Sequence, residues 1–235
     1  MESEKMSINW YKKANIYEEI KRYGPSNERE ADISLAIEEM KKIYPNESDE
    51  KIQEWARDSY MREHYRKDAF HQNYGWSVPT QEAVQKIKEF VGNGSIIEVG
   101  GGLGLWGKLL RDEGVNIVST NRSYNKFNKK DKKHIDIEKK RFIDIEELDH
   151  LKAIEKYGDF EILLMSWPPY DDPMAYETLK NFRGNKVVFI GESGGGCTGC
   201  GKFFTLLYNE WERIQSIGIP QWTGLHDDIT FYVRK

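Results

Sequence analysis

Ser95-Ile-Ile-Glu-Val-Gly-Gly-Gly-Leu-Gly-Leu-Trp-Gly-Lys-Leu-Leu110 decides how this chain folds. A short apolar run ends at a carboxylate, Glu98, and passes into glycines between Gly100 and Gly104. Leu103, Trp106, Leu109 and Leu110 then recur at helical spacing. Strand, tight loop and amphipathic helix form the opening unit of an α/β nucleotide-binding sheet. Glycines let backbone approach a ligand where a Cβ would collide. The helix that starts there turns its free N–H groups towards that ligand.

Two glycine registers compete. Gly102-Leu-Gly104-Leu-Trp-Gly107 matches the dinucleotide pattern G-x-G-x-x-G, which counts only directly after a strand. In that register Glu98 and Gly100 occupy places where apolar strand residues are expected. The other register, Glu98-x-Gly100-x-Gly102-x-Gly104, resembles motif I of the class I S-adenosylmethionine-dependent methyltransferases. The resemblance implies a Rossmann-like sheet and S-adenosyl-L-methionine as cofactor. It assigns Glu98 to the methionine moiety and Gly100, Gly102, Leu103 and Gly104 to the cofactor cradle. Gly114 reads as the helix stop and Val115 to Asn121 as a second strand. A ribose-binding side chain is expected at that strand's end, about 20 residues beyond the glycines. Asn121 stands there, where the family usually has Asp or Glu. The bland alternative is a helix-capping turn with no ligand.

The chain has 235 residues, enough for one main domain and an extension. A formal charge of −4 argues against a general polyanion binder. No apolar run reaches the roughly 20 residues of a membrane span, and Met-Glu-Ser-Glu-Lys lacks the features of a signal peptide. Cys197 and Cys200 are too few for a disulfide framework. These features predict a soluble cytoplasmic protein without a membrane partner. The 13% aromatic content argues against disorder.

Residues 1–78 read as a helical extension and 79–235 as the α/β domain. Asn27 and Glu30 have capping-box spacing. Ile33, Ile37, Met40 and Tyr44 follow at helical spacing until Pro45, and a further helix is predicted over 48–70. Thr80 caps a helix whose buried face is Ala83, Val84, Ile87, Phe90 and Val91. Strands are predicted near 95–99, 115–120, 140–143, 160–166, 186–191, 211–217 and 228–234. Alternation with helices indicates a parallel sheet covered on both faces. The short loop from Gly218 to Asp227 makes the last two strands antiparallel neighbours. The expected fold is therefore α/β, a Rossmann-like class I methyltransferase fold. Its sheet is seven-stranded and mostly parallel with an antiparallel last strand.

Ligands of such sheets bind beyond the carboxyl ends of the strands. The fourth strand ends in Met165-Ser-Trp-Pro-Pro-Tyr-Asp-Asp172, which resembles motif IV of the amino-methyltransferases, Asp/Asn/Ser-Pro-Pro-Tyr/Phe/Trp. That resemblance implies that a polar side chain and the first proline carbonyl hold a target amine while the aromatic residue stacks on it. Pro168, Pro169 and Tyr170 match. Trp167 occupies the polar position and Ser166 lies one place earlier, so Trp167 can supply an aromatic wall. A rigid Pro-Pro turn is the equally weighted alternative. The fifth strand leads into Gly191-Glu-Ser-Gly-Gly-Gly-Cys-Thr-Gly-Cys-Gly201. Cys197-x-x-Cys200 has the spacing of a zinc half-site, but no second pair exists and no metal is assigned. In Pro220-Gln-Trp-Thr-Gly-Leu-His-Asp-Asp228, Trp222, His226 and Asp227 are expected to face the cleft. His226 is the nominated proton acceptor. The family resemblance gives Asp144, or alternatively Asp136, to the adenine amine. Tyr74 and Trp76 suggest a lid.

Arg122 to Arg141 holds nine Lys or Arg against three carboxylates, a net of +6. Such clustering can track phosphates, so nucleic acid is a candidate partner, and solvated surface is the alternative. The reading is methyl transfer to an amine nitrogen of a planar acceptor. Its rivals are a non-catalytic binding module on the same fold and a nicotinamide-dependent oxidoreductase.

Overall fold

The computed structural model describes residues 16–25, 33–122 and 141–235. The expected sheet is present. Its strands are β1 (Ser95–Val99), β2 (Asn116–Asn121), β3 (Ile145–Glu147), β4 (Ile162–Ser166), β5 (Lys186–Gly191), β6 (Trp211–Gly218) and β7 (Asp228–Arg234). Their order is β3-β2-β1-β4-β5-β7-β6. β1 to β5 pair in parallel, and β7 lies antiparallel between β5 and β6. This is the Rossmann-like class I methyltransferase arrangement. A dinucleotide-binding sheet instead runs 3-2-1-4-5-6.

Central strands covered on both faces need apolar residues on both, which is why Ile162 to Met165 and Val187 to Ile190 are continuous apolar runs. Helices α5 (Gln81–Val91) and α6 (Leu105–Asp112) cover one face. α7 (His150–Lys156), α8 (Met174–Asn181) and α9 (Gly201–Glu210) cover the other. Thr80 caps α5 as its sequence predicts, its Oγ1 accepting from the Ala83 N–H at 3.1 Å.

The preceding helices are α1 (Ile16–Tyr23), α2 (Ile33–Ile43), α3 (Asp49–Arg57) and α4 (Ser59–Asn73). Ala36, Met40, Ile52 and Ala56 form a small core of their own. A buried ion pair, Arg66 Nε to Glu39 Oε2 at 3.2 Å, lies beside it. Ile20, Phe70 and Val78 instead join the core beneath the sheet, so the extension is packed onto the α/β layer. Among the described residues no helix is long and apolar enough to cross a membrane.

Two boundaries differ from expectation. The single helix over 48–70 is broken at Asp58, whose carboxylate accepts from the Met61 N–H at 2.8 Å and starts a new helix. A local cap competes with continuation of the first helix. The third strand begins at Ile145 rather than near 140, because the Phe142 N–H bonds the Leu103 carbonyl in the glycine loop and not β2. The Asn27–Glu30 box, Asp136 and the basic segment between its ends Arg122 and Arg141 lie outside the described residues.

Candidate functional site

β1 and its neighbours β2 and β4 are entered and left by helices on opposite faces, so a crevice opens at their carboxyl ends. The glycine loop forms its floor. Gly100, Gly102 and Gly104 have φ of 75°, 57° and 75°. The alternation of glycines thus follows an alternation of left-handed backbone. A Cβ on Gly104 would stand 2.5 Å from Ile143 Cγ2, whereas one on Gly102 would meet nothing within 4 Å. Gly102 faces the open cleft. Leu103 and the start of α6 follow it there. Gly107, the last glycine of the dinucleotide register, packs α6 against β2, its Cβ position lying 2.1 Å from Ser119 Oγ.

Glu98 requires a correction. Its carboxylate does not line the cleft. It is buried under the loop, where it accepts from the Ser119 hydroxyl and lies against Gly101 and Gly107. Alternation along β1 turns its side chain to the α6 layer. Burial pushes its pKa up to about 7, with the Ser119 hydrogen bond opposing. Glu98 supports the loop from below, and the methionine-holding role implied by the resemblance has no geometric basis.

The cavity above the loop encloses about 280 Å³, at the small end of ligand sites. Asn121 lines it from the end of β2, its Nδ2 donating to the Arg122 carbonyl at 2.8 Å. Asp144 does not line it. That residue is exposed and precedes β3, at the strand end away from the cleft. The shifted strand boundary is the reason. Leu148 and His150 occupy the corresponding wall. His150 Nε2 lies 2.8 Å from Glu177 Oε2, and its Nδ1 lies 3.4 Å from Asp149 Oδ1. Arg122 lines the cleft opposite Asp172 at 3.8 Å. Sequence reasoning missed His150. Its signal was Asp149, a helix cap that fixes where β3 ends.

The fourth-strand loop forms the other wall. Ser166 and Trp167 line the cleft. Trp167 is the single non-glycine residue with positive φ (52°) among the described residues. Its N–H donates to the Ile190 carbonyl at 2.8 Å and its indole N–H to Asp227 Oδ2 at 2.9 Å. Trp76, half exposed, stacks on it at 5.0 Å and 16°, and His71 lies 4.0 Å from Trp76. Burial lowers the His71 pKa to about 3, with Lys67 adding to the effect, so the imidazole is neutral. Tyr74 also lines the cleft.

Four further expectations change. Pro168 is buried, and its carbonyl accepts from Gly199 N–H at 2.8 Å, which engages it with the fifth-strand loop. Tyr170 is 61% exposed and outside the cleft. His226 is also outside it, with a side chain 82% exposed, while its backbone N–H bonds Glu192 Oε1 at 3.0 Å. Trp222 packs on Phe70 in the core. Asp227, by contrast, is buried behind Trp167. Burial raises its pKa to about 6. Glu192 ties these loops together, accepting from Cys197 N–H at 2.6 Å as well as from His226. Cys197 is exposed.

No protein-family model matches the chain, and no curated protein matches it either. Solved structures do resemble it. A candidate tRNA (m1A22) methyltransferase from Streptococcus pneumoniae in complex with S-adenosyl-L-methionine is 11% identical, with 66% of this chain and 73% of that chain covered and a TM-score of 0.46. A TehB-like SAM-dependent methyltransferase from Corynebacterium glutamicum is 15% identical, covering 65% and 86%, with a TM-score of 0.45. MtNAS in complex with MTA and tNA is 12% identical, covering 86% and 71%, with a TM-score of 0.46.

Proposed function

We propose that the chain is an S-adenosyl-L-methionine-dependent methyltransferase acting on a nitrogen of a planar acceptor. The observation that carries this reading is the glycine loop. Its alternate left-handed residues leave the Cβ position of Gly102 open to an enclosed cavity at the end of β1. The antiparallel insertion of β7 favours this reading over the nicotinamide alternative.

The residues present fit the cofactor. Gly100 to Leu103 and the N-terminus of α6 would cradle it, Asn121 would bond ribose hydroxyls, and Leu148 and His150 would flank the adenine. When bound, the cofactor supplies an electrophilic methyl group on a sulfonium. The protein's own work is then positioning. Ser166 offers a hydroxyl, and the indoles of Trp167 and Trp76 offer flat apolar faces on which a ring can lie. The Trp76 loop covers this side of the cleft and reduces water access.

Calorimetric titration with S-adenosyl-L-methionine tests the reading. We expect micromolar binding by the wild type and its loss in Gly102→Val, whose melting curve checks that it is folded. A folded wild type that binds NADH and ignores S-adenosyl-L-methionine would overturn it. An acceptor screen then begins with nucleosides and RNA, because of the basic segment between Arg122 and Arg141.

A further inference from the structure

Trp167 is held more firmly than an aromatic wall requires. Left-handed backbone at a bulky residue is costly and persists only where its surroundings impose it. Here both ends of the residue are pinned, the peptide N–H by Ile190 and the indole N–H by Asp227. Asp227 is 1% exposed, and its Oδ1 has no hydrogen-bond partner among the described residues. Its titratable neighbours are the carboxylates of Glu192 and Asp228, the His226 imidazole and the Cys197 thiol. Asp227 therefore places a weakly compensated negative charge on the N–H edge of an indole that lines the cleft. An indole face already attracts cations, and low dielectric strengthens the effect.

Among the described residues, the other ionisable side chains that line the cleft are engaged. Tyr74 donates to Glu19, Arg122 faces Asp172 and His150 is bonded to Glu177. None is poised to take a proton from an acceptor. Resting on the methyltransferase reading, we propose that the acceptor atom is a pyridine-type ring nitrogen whose methylated product keeps a positive charge. Asp227 is the positioning residue that, through Trp167, favours that charge. In the transfer the nitrogen lone pair forms the new N–C bond. The C–S bond breaks with its pair going to sulfur. The positive charge thus passes from sulfur to the ring, and no proton has to leave.

The test compares two probes, neutral nicotinamide and cationic 1-methylnicotinamide. Each is titrated with saturating S-adenosylhomocysteine, and binding is read from tryptophan fluorescence and calorimetry. S-adenosyl-L-methionine binding by the wild type is measured first. Failure there removes the underlying reading, and only with that binding in hand do the probes address Asp227. At pH 7.5 the cation is expected to bind about ten-fold tighter. That preference falls towards unity at pH 5 and, at both pH values, in Asp227→Asn, whose side-chain carbonyl still accepts the indole N–H. In Trp167→Phe the preference is already weakened, and adding Asp227→Asn changes it little further. Equal binding of the probes, no binding of either, or a preference that survives in Asp227→Asn overturns the proposal.

Discussion

The hydroxyls of Ser77 and Ser166 lie 2.9 Å apart, joining the loop after α4 to the end of β4. Trp106 on α6 donates its indole N–H to the same Ser77 oxygen at 2.8 Å. One small side chain thus bonds the end of β4 and the helix that follows the glycine loop. Ser77→Ala leaves the buried Trp106 N–H without an acceptor, a loss of about 1–3 kcal/mol. The melting temperature should fall by several degrees. An unchanged melting curve would show that water replaces the serine at no cost.

Glu98 gives the fold a pH dependence of known sign. Its folded pKa, about 7, lies above the ordinary value of 4.5. Its contribution is therefore fully present below about pH 4.5 and is lost as pH rises to 7. The difference is on the order of 3 kcal/mol. Glu98→Gln keeps an acceptor for Ser119 and carries no charge. It should melt several degrees above the wild type at pH 8 and match it near pH 4.5, while still binding S-adenosyl-L-methionine. Loss of cofactor binding in a folded variant would return Glu98 to a direct role.

Asn121→Ala should weaken S-adenosyl-L-methionine about ten-fold in calorimetry, the effect of one or two lost hydrogen bonds to ribose. Melting without ligand should move little, since among the described residues the Asn121 side chain bonds only the adjacent Arg122 carbonyl. Equal affinity in the two proteins would exclude Asn121 from the ribose site.

Glu192 is the buried carboxylate that organises the fifth-strand loop. Burial works to raise its pKa, but the N–H groups of Cys197 and His226 outweigh burial and hold it below the ordinary value. Partial desolvation and the Glu192 carboxylate in turn keep the Cys197 thiol above its usual value. Glu192→Ala should lower that thiol's pKa and speed iodoacetamide labelling of Cys197 at pH 8. A slower or equal rate would contradict the assignment.

Much of the sheet was legible because central parallel strands must be apolar and glycines must mark positive φ. Ser95 to Leu110 therefore reads correctly as strand, glycine loop and helix. Position along a strand was less visible than identity. Asp144 looked suitable until β3 proved to begin after it, and Glu98 looked suitable although alternation turns it under the loop. Trp167 and Asp227 were both named as cleft candidates, yet their hydrogen bond spans 60 positions of sequence and no local pattern encodes it. His226, the more conventional choice, differs from Asp227 by one residue and points to solvent.

The connection from β2 to β3 leaves the cleft at Arg122 and re-enters the described fold at 141, one residue before Phe142, whose N–H is fastened to Leu103. One end lines the cleft and the other is fastened to its glycine floor. Any displacement of Phe142 is delivered to the glycine loop, and any displacement of Arg122 to its neighbour Asn121. In mechanical terms these two ends act as a bridle on the glycine loop.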